Sequence, residues 1–500
     1  MRPAVILVFI LLTGCMAGPD YIPPDLSSGP EIGTSNFTAL STEQTNIAAW
    51  WDIFEDSLLT SLIKKAAKNN LDLKIAIARV REAREQLGIS TSNLFPVIDA
   101  TGHINRTKDS KNLTGKSGEP YTQYSVGTDT NWEIDLFGRI RRSIEANFAE
   151  YQASNEDRNN VLVTLCADVA TTYFTLRSLQ SQLNTTENNI LSQKGMLALT
   201  RVRYKYGLAT YLDVAQAMRV LATTEATLPP LRTQFTESIN ALSVLLGEAP
   251  GGLTELLTPR PIPFPPEKVA IGIPAEQIRK RPDVKQAERL LAAETAKIGV
   301  AKADLYPTFS FLGSFGYASL NTGNLIESSS GFYGIGPSIR WNIFDMGRIR
   351  RAIKVQDART EQALHAYELT MLQAIKEVRD SLTNYQEQRN RLKALTRAVE
   401  SSKDALKMAT RLYKDGLTDF QNVLDAQRTL LSTEQDMQKA RGNTCIELAQ
   451  IYKALGGGWD SASYTKQKKS GKREETIVDP ITGKTGTKHT AQTLKRDNRP

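Results

Sequence analysis

Few residues of this chain are suited to catalysis or to metal binding. Its 500 residues include only three histidines and three cysteines, and the histidines, His103, His365 and His489, lie far apart. The cysteines are not spaced as metal ligands, and the sequence from Gly483 to Thr485 lacks the upstream glycine of a phosphate-binding loop. We therefore expect that the protein is not an enzyme and holds no cofactor or metal.

The N-terminus has an apolar run that is too short to cross a membrane. This run, from Val5 to Leu12, follows Arg2 and is typical of a secretory signal peptide. It leads to a small-residue cleavage site followed by Cys15, which is similar to the lipobox of bacterial lipoproteins. We predict a lipoprotein signal peptide over residues 1–14 and lipidation of Cys15, with an ordinary signal peptide as the alternative. The lipoprotein resemblance also implies the outer membrane, because Met16 rather than aspartate follows the cysteine.

Charge of one sign is in excess only at the C-terminus. The formal net charge is +8, and residues 461–500 hold ten Lys/Arg against four acidic residues, a net +6. Because this segment is polar and has no periodicity, we predict a basic disordered tail over residues 460–500. Nucleic acid is not expected as a partner, since an exported lipoprotein meets little of it.

The chain contains an internal duplication. WEIDLFGRIRR from Trp132 matches WNIFDMGRIRR from Trp341, and YKYGLATYLDV from Tyr204 matches YKDGLTDFQNV from Tyr413, both at an offset of 209 positions. Upstream of these motifs the offset is 211, as between Gly88 and Gly299. We predict one unit repeated in tandem. The expected boundaries are an extended segment at 15–49, a first repeat at 50–247, a Pro-rich linker at 248–272 and a second repeat at 273–459.

Four segments alternate between apolar and polar residues, as transmembrane β-strands do. From Tyr124 to Leu136, for example, the even positions are mostly apolar or aromatic and the odd positions are polar. A soluble sheet with one wet face would show the same alternation, but the aromatic residues near the strand ends favour a membrane. We predict strands at about 97–106, 122–136, 308–318 and 332–345.

Four strands alone cannot form a stable membrane structure. Unpaired backbone groups at open sheet edges cost several kcal/mol each in hydrocarbon, so the chain has to oligomerise. Closed barrels of eight, twelve or sixteen strands all satisfy this requirement. The arithmetic of the sequence does not choose among them.

Apolar residues recur every seventh position from Leu162 to Tyr204 and from Met371 to Tyr413. Such heptads indicate coiled-coil packing, and a proline-free helix from Gly347 to Tyr413 would be about 100 Å long. Gly207 and Gly416 are expected to end the long helices with left-handed caps. We predict helices at about 56–94, 138–204, 211–246 (broken at Pro229-Pro230), 283–305, 347–413 and 420–455. Cys166 and Cys445 fall in these helices, where burial is favoured over a disulfide.

With these motifs the chain resembles the TolC-like outer-membrane factors, in particular the lipoprotein branch that serves resistance-nodulation-division (RND) efflux pumps. The resemblance covers about residues 12–459. It rests on the lipobox followed by GPDYIPP, on WWDIFEDSLLTSLIKKAAKNNLDLKIAIARVREAR from Trp50, on IPAEQIRKRPDVKQAERLLAAETAKIGVAKADLYP from Ile273 and on the turn after Tyr413. Ser57 departs from the proline that is frequent in the family, and the basic tail extends beyond the usual ending near Trp459.

The resemblance implies a mainly α fold with membrane β-structure. Three chains would complete a twelve-stranded β-barrel in the outer membrane, continued by a long coiled-coil α-helical barrel in the periplasm. The implied partners are two further copies, a periplasmic adaptor (membrane fusion protein), an inner-membrane RND-type transporter and outer-membrane lipid. The implied function is the outer-membrane channel-tunnel of a tripartite pump for small molecules. A trimeric exit duct for type I protein secretion is the alternative, and a lipid-anchored coiled-coil scaffold without a pore is a third, against which the alternating strands argue.

The turns at the helix tips hold the candidate functional residues. The Gly207 and Gly416 turns are expected to contact the adaptor, and a gate is expected beside them. The gate candidates are Asp213, Asp419, Asn422 and Asp425. Thr210 and Asp419 occupy aligned positions suited to helix N-caps, which favours a structural role for both.

Asp425 is the strongest gate candidate because it lies beyond capping reach. In the resembled family the aligned position lines the periplasmic constriction, and threefold symmetry would place three carboxylates around one axis. Such a ring attracts cations. Asn422 stands where some members of the family carry a second acidic residue, so this chain departs from a double ring.

Overall fold

The computed structural model describes residues 16–24, 40–41, 47–112, 118–264, 269–270, 278–459, 474–478 and 485–489. The predicted signal peptide and Cys15 lie outside the described residues. Most of the described chain is helical, and the remainder is dominated by one antiparallel sheet. The predicted fold class, a mainly α protein built from a tandem unit with four β-strands, is confirmed.

Two helices of equal length, 67 residues each, dominate the molecule. At the standard rise per residue each is about 100 Å long. Within the described ranges the helices are α1 Ser57–Asn69, α2 Leu71–Ser92, α3 Arg139–Lys205, α4 Tyr211–Glu225, α5 Leu228–Leu245, α6 Pro282–Ala303, α7 Arg348–Lys414 and α8 Phe420–Ala454. None of the described helices contains a stretch that is both long and apolar enough to span a membrane.

The helix expected at 56–94 is two helices, α1 and α2, separated at Asn70. Asn70 has extended backbone angles (φ −54°, ψ 137°), and its side chain accepts a hydrogen bond from the Leu73 N–H at 2.9 Å. The same side chain donates to the Leu245 carbonyl at 3.0 Å, at the end of α5. One asparagine therefore starts α2 and ties it to α5, which hydrophobic periodicity alone did not reveal. The expected helix at 211–246 is also two helices, α4 and α5, with Pro229 and Pro230 in the first turn of α5.

The four long strands are β2 Val97–Lys108, β3 Pro120–Ile134, β5 Thr308–Ser319 and β6 Gly331–Arg340. They form one antiparallel sheet in the order β2-β3-β5-β6. The two hairpins, one from each repeat, join through β3 and β5, which leaves β2 and β6 as open edges. β6 ends at Arg340, opposite the first residue of β5, so Trp341 and Ile343 lie beyond the strand and not within it as predicted.

The strand register gathers the apolar residues on one face of the sheet. Trp132 lies opposite Phe311, and Phe315 lies opposite both Thr128 and Tyr333. Most large side chains on this face are exposed, including Ile335 at 70%. An isolated chain therefore presents a continuous apolar sheet face together with two unpaired edges.

The described chain also contains two short strand pairs that were not predicted. β1 Leu40–Ser41 pairs in parallel with β4 Val269–Ala270, connecting the N-terminal segment to the linker. In the predicted tail, β7 Glu474–Val478 pairs antiparallel with β8 Thr485–His489. These ten residues differ from the expected disorder, and the remainder of 460–500 lies outside the described part of the chain.

Equivalent residues in the two repeats make equivalent contacts. The Trp132 indole N–H donates to the Leu94 carbonyl at 2.9 Å, and the Trp341 indole N–H donates to the Leu305 carbonyl at 3.1 Å. Each bond fixes the end of a hairpin to the end of the helix that precedes it. The pseudo-symmetry read from the sequence therefore extends to individual hydrogen bonds.

The largest hydrophobic core lies halfway along the long helices. It gathers Trp50, Phe54 and Phe174 with the middle of α7 and the end of α8. Trp50 stacks on Tyr452 with ring centroids 5.4 Å apart. Cys166 and Cys445 are both buried in this region with free thiols, and burial raises the pKa of each to about 12. The two cysteines are therefore packing residues rather than reactive thiols.

Candidate functional site

Both long helices end in the same hydrogen-bonded cap, far from the sheet. Gly207 has φ +71°, and the Leu208 N–H donates to the Arg203 carbonyl at 2.8 Å. Gly416 has φ +74°, and the Leu417 N–H donates to the Leu412 carbonyl at 2.8 Å. This bond from the residue after the glycine is the Schellman arrangement, which requires a left-handed residue and hence favours glycine.

Asp213 has a structural partner at the tip of the first repeat. The Thr210 hydroxyl accepts from the Asp213 N–H at 3.3 Å, and the Thr210 N–H donates to the Asp213 carboxylate at 2.8 Å. This reciprocal pair is a capping box at the start of α4. The carboxylate of Asp213 is thus engaged with the backbone of its own helix.

The expected N-cap at Asp419 needs correction. Asp419 occupies the residue before α8, as predicted, but its side chain makes no capping hydrogen bond among the described residues. The Asn422 N–H donates instead to the Asp419 carbonyl at 3.2 Å, and the Asn422 amide donates to the Thr418 hydroxyl at 2.7 Å. The backbone of this turn supplies the acceptor, so the Asp419 carboxylate remains exposed.

Asp425 lies on the exposed side of α8, between one and two turns beyond the tip. Its neighbours Val423 and Leu424 are buried, while Asp425 is exposed and pairs with no side chain in the described part of the chain. The aligned residue of the first repeat is Gln216. Each chain therefore contributes one free carboxylate at this level.

The two tips differ in the burial of an equivalent tyrosine, Tyr413 in the second repeat and Tyr204 in the first. Tyr413 is 4% exposed, with its ring 5.0 Å from that of Phe420. The Arg203 guanidinium covers the Tyr413 ring at 4.7 Å and donates to the Lys414 carbonyl at 2.9 Å. Tyr204, the counterpart of Tyr413, is 48% exposed. Arg203 therefore ties the end of α7 to α3, a contact that the heptad pattern did not predict.

The first tip also presents an apolar surface. Beside Tyr204 lie further exposed apolar side chains, namely Val202, Tyr206, Leu208, Tyr211 and Leu212. The second tip exposes Leu417 but buries Phe420. The motif around Gly207 has three tyrosines, whereas the motif around Gly416 has one. This difference was the signal in the sequence that the first tip would be the more apolar of the two.

A second site lies at the junction between the sheet and the long helices. Arg142, in the first turn of α3, is 2% exposed. Its guanidinium donates to the carbonyls of Ala17 and Gly18 at 3.0 and 3.3 Å, and to the carboxylates of Asp20 and Glu145, both at 2.7 Å. Burial alone would lower the pKa of Arg142, but the two carboxylates outweigh it and raise that pKa. Arg142 is thus fully charged and fully paired.

Close backbone contacts complete this site. A Cβ atom on Gly18 would lie 2.4 Å from Gly299 Cα in α6, and one on Gly299 would lie 2.7 Å from the Ala17 carbonyl oxygen. Met16 packs against Gly138, and the Ala17 N–H donates to the Phe137 carbonyl at 3.0 Å. We call the site formed by Gly138, Arg142 and Gly299 around residues 16–20 the N-terminal socket. Sequence reasoning missed it because its parts are more than a hundred residues apart.

Tyr21 holds the segment next to the socket. Its ring lies under the Arg289 guanidinium at 5.4 Å, and its hydroxyl donates to Glu288 at 3.4 Å. Burial first, and then the Glu288 carboxylate, raises the pKa of Tyr21 to about 12. The residues that directly follow Cys15 are therefore fixed between α3 and α6.

Among the described residues no group of histidine, cysteine and acidic side chains could hold a metal ion. What the molecule offers is a duplicated unit in which a hairpin continues into a helix of about 100 Å. A membrane-type sheet joined to helices of that length defines a channel-forming protein that bridges a membrane and the compartment beside it. The chain belongs to the outer membrane efflux protein family, whose model, described as "Outer membrane efflux protein", matches residues 62–248 and 273–457.

Individual relatives agree with this assignment. The solvent efflux pump outer membrane protein SrpC of Pseudomonas putida is 32% identical over 457 residues, covering 90% of this chain and 97% of the relative. The cation efflux system protein CusC of Escherichia coli O6:H1 is 30% identical over 463 residues, covering 92% and 100%. The solved outer-membrane channel OprN superposes with a TM-score of 0.84 at 34% identity, covering 89% of this chain and all of that one. This protein is an efflux channel of the outer membrane.

Proposed function

We propose that three copies of this chain close into one continuous channel that forms the outer-membrane exit of a tripartite efflux pump for small molecules. The observation that carries the proposal is the four-stranded sheet with an exposed apolar face and two open edges, β2 and β6. In hydrocarbon both edges need partners, and pairing β6 of one chain with β2 of the next supplies them around a ring. Three chains would then complete a twelve-stranded barrel.

The helix tips are the proposed contact with a periplasmic adaptor. The Gly207 and Gly416 turns are the farthest points from the sheet, and the first presents the apolar side chains around Tyr206. Exposed apolar patches of this kind are suited to protein partners. The adaptor would connect the channel to an inner-membrane RND-type transporter. The relatives' names refer to solvents and to cations, so the cargo would be small molecules of either kind.

The proposed lipid anchor is Cys15. Its support is the N-terminal socket, which holds Met16 and Ala17 against Gly138 and Phe137, where the sheet meets α3. An acyl chain on the preceding residue would enter the membrane at this level. A single acyl chain binds membranes weakly, and the barrel would provide the second contact.

The proposed gate is a ring of three Asp425 carboxylates. Their support is the free, exposed carboxylate near the tip of each chain. Asp213 is bonded within its capping box, and Asn422 is neutral and bonded to Thr418, so neither adds a second ring. Asp419 is exposed and would contribute to the negative field at the mouth.

Two measurements on the purified protein test the proposed function. In detergent, light scattering is expected to give the mass of a trimer. In planar bilayers, the same material is expected to give stepwise single-channel conductance. A monomer with native strand content would contradict the closed ring, and a trimer without conductance would instead indicate a scaffold.

A further inference from the structure

The duplication gives the N-terminal socket a counterpart, which consists of Gly347 and Arg351 at the start of α7 and of Gly88 in α2, and no described residue of a single chain fills it. Arg142 corresponds to Arg351 at the offset of 209 positions. Arg142 is enclosed by the N-terminal segment, whereas Arg351 is exposed. The chain has only one N-terminus, so the duplicated site cannot be filled in the same way.

The glycines of the two sites show the same difference in occupancy as the arginines. A Cβ atom on Gly138 would lie 3.0 Å from Met16, but one on Gly347, its counterpart, would meet no atom of the described residues within 4 Å. Gly299 is crowded by Arg142 and Ala17, whereas its counterpart Gly88 likewise has no atom within 4 Å of a built Cβ. Gly347 in the second repeat and Gly88 in the first are therefore both left open by the described residues of a single chain.

The charges of the two sites differ. In the first repeat each arginine at the start of α3 has a carboxylate partner. These pairs are Arg139–Glu133, Arg141–Asp135 and Arg142–Glu145. At the offset of 209 the three acids become Asn342, Phe344 and Lys354, while the arginines become Arg348, Arg350 and Arg351. Positive charge has been kept and negative charge has been lost.

The basic residues of the second site are consequently free. Arg350, Arg351 and Lys354 are exposed, and no carboxylate in the described part of the chain pairs with them. Asp345 lies nearby, but its carboxylate accepts from the N–H groups of Gly347 and Ile349, both at 2.9 Å. We call the set of Arg350, Arg351 and Lys354 the basic cluster.

The basic cluster lies directly below exposed apolar residues. Between β6 and α7 the side chains of Trp341, Ile343, Phe344 and Met346 are exposed. Apolar side chains next to arginines and lysines are the arrangement that suits the boundary between acyl chains and phospholipid headgroups. This boundary is also where the occupied socket would place the lipid on Cys15.

A neighbouring chain would form the other wall of the empty site. At the N-terminal socket α3 of the first repeat packs against α6 of the second repeat, and the counterpart of α6 is α2. Within the described part of one chain α2 packs against α3 and not against α7. An α2 can therefore pack against the free side of α7 only if the next chain in the ring supplies it. Gly88 of that chain would then face Arg351, as Gly299 faces Arg142.

We propose that this empty counterpart, formed by the basic cluster of one chain and Gly88 of the next, binds the headgroup of an anionic phospholipid. The phosphate takes the place that the Asp20 carboxylate and the Ala17 and Gly18 carbonyls occupy in the first repeat. Guanidinium groups bind phosphate through two parallel hydrogen bonds, which favours arginine at such a site. The inference rests on the proposed lipid anchor and closed ring, which set the orientation and the second wall.

Native mass spectrometry of the full-length oligomer in detergent tests the proposal. Phosphatidylglycerol, phosphatidylethanolamine and inorganic phosphate are added in separate titrations. We expect phosphatidylglycerol to remain bound at up to one molecule per chain, with little retention of the other two. Arg350→Gln combined with Arg351→Gln is expected to weaken retention about thirtyfold, since each basic residue near an anionic surface contributes about fivefold.

The matched control is Lys393→Gln combined with Arg397→Gln, which removes two exposed charges from the middle of α7. Equal losses in both double variants would overturn the proposal, because binding would then follow total charge. A wild-type oligomer without bound phosphatidylglycerol would also overturn it. Retention of inorganic phosphate equal to that of phosphatidylglycerol would overturn the lipid assignment.

A single substitution serves as a second test in case the double variant fails to fold. Lys354→Gln is expected to weaken retention about fivefold by the same reasoning. Unchanged retention in Lys354→Gln and in the double variant would overturn the site. Absence of an oligomer in the wild-type protein would contradict the proposed function itself, which distinguishes that failure from a failure of the lipid site.

Discussion

Ser57 occupies the first position of α1, directly after the capping residue Asp56. Asp56 accepts from the Leu58 and Leu59 N–H groups, while the Ser57 N–H makes no hydrogen bond among the described residues. Asp56 also has extended backbone angles (φ −104°, ψ 103°), which suit a residue before proline. The site is therefore ready to accept the proline that the resembled family often carries there.

We predict that Ser57→Pro stabilises the protein by about 0.4–1 kcal/mol, because proline restricts the unfolded chain and no hydrogen bond is lost. Chemical unfolding followed by far-ultraviolet circular dichroism measures the change. Ser57→Ala serves as the control and is expected to be close to neutral. A loss of stability in Ser57→Pro would show that the N–H of Ser57 has a partner in the assembled protein.

Asp425 is the residue on which the proposed gate depends. Asp425→Ala is expected to reduce cation preference and divalent-cation block, because three closely spaced carboxylates are replaced by methyl groups. Reversal potentials in a salt gradient across planar bilayers measure the preference. The control is Asp419→Ala, an equally exposed carboxylate at the same tip, for which a smaller shift is expected. Selectivity that follows Asp419 and ignores Asp425 would place the constriction at the turn itself.

Sequence reasoning at the scale of residues succeeded where a motif is local. Gly207, Gly416 and Thr210 act within one or two helical turns, so spacing alone was informative. Arg142 could not be found in this way, since its partners Ala17 and Asp20 are 125 and 122 positions away. Asp419 shows that a local motif can also mislead. Its residue type and position suit a helix cap, but its side chain makes no capping hydrogen bond among the described residues.

The helix tips of the two repeats share one cap geometry at the end of the long helix but differ at the start of the next helix. The first repeat begins α4 with a reciprocal capping box, whereas the second begins α8 without a side-chain cap among the described residues. The stability of the two turns should therefore differ, although the sequence alignment makes them equivalent.

We predict that Thr210→Ala destabilises the protein by about 1 kcal/mol, because the Asp213 N–H loses the Thr210 hydroxyl as its acceptor and only the backbone half of the capping box remains. Asp419→Ala is expected to have a much smaller effect, since no capping bond is lost. Hydrogen exchange of the first turns of α4 and α8 reports on each helix separately. Equal increases in exchange at the two turns would mean that the Asp419 carboxylate caps α8 in solution.

The elements themselves were largely predictable because their patterns are long. The two 67-residue helices and the four strands followed from heptads and alternation. The break at Asn70 was missed because both sides of it have helical patterns, and only its tertiary bond to Leu245 reveals it. β6 ends early for a similar reason, since its partner β5 begins at Thr308 and offers no further backbone groups.

The whole molecule has two proposed attachments to the membrane, the sheet and Cys15. We predict that Cys15→Ser abolishes acylation but leaves folded trimer, because the sheet provides the second attachment. Metabolic labelling with a fatty acid, followed by mass determination in detergent, measures both. Label retained on the variant would refute the lipid assignment.

Removal of residues 461–500 is expected to leave both trimer and efflux intact, because the repeats that form the channel end before this segment. Growth in the presence of an exported compound, with the truncated and full-length proteins at equal abundance, measures efflux. Loss of the trimer on truncation would instead assign the tail, including the β7 and β8 pair, to assembly.

The equal lengths of α3 and α7 constrain how this molecule can change during evolution. A deletion of one heptad shortens a helix by about 10 Å, and in a ring that alternates the two repeats it would leave every second tip out of level. Because α4 and α5 return from the first tip and α8 from the second, only deletions at matching depths in the long helix and in the returning helix of both repeats would keep a flat rim. We expect length variants among relatives to arise in such sets, so that the length of the tunnel is inherited in steps of four heptads per chain.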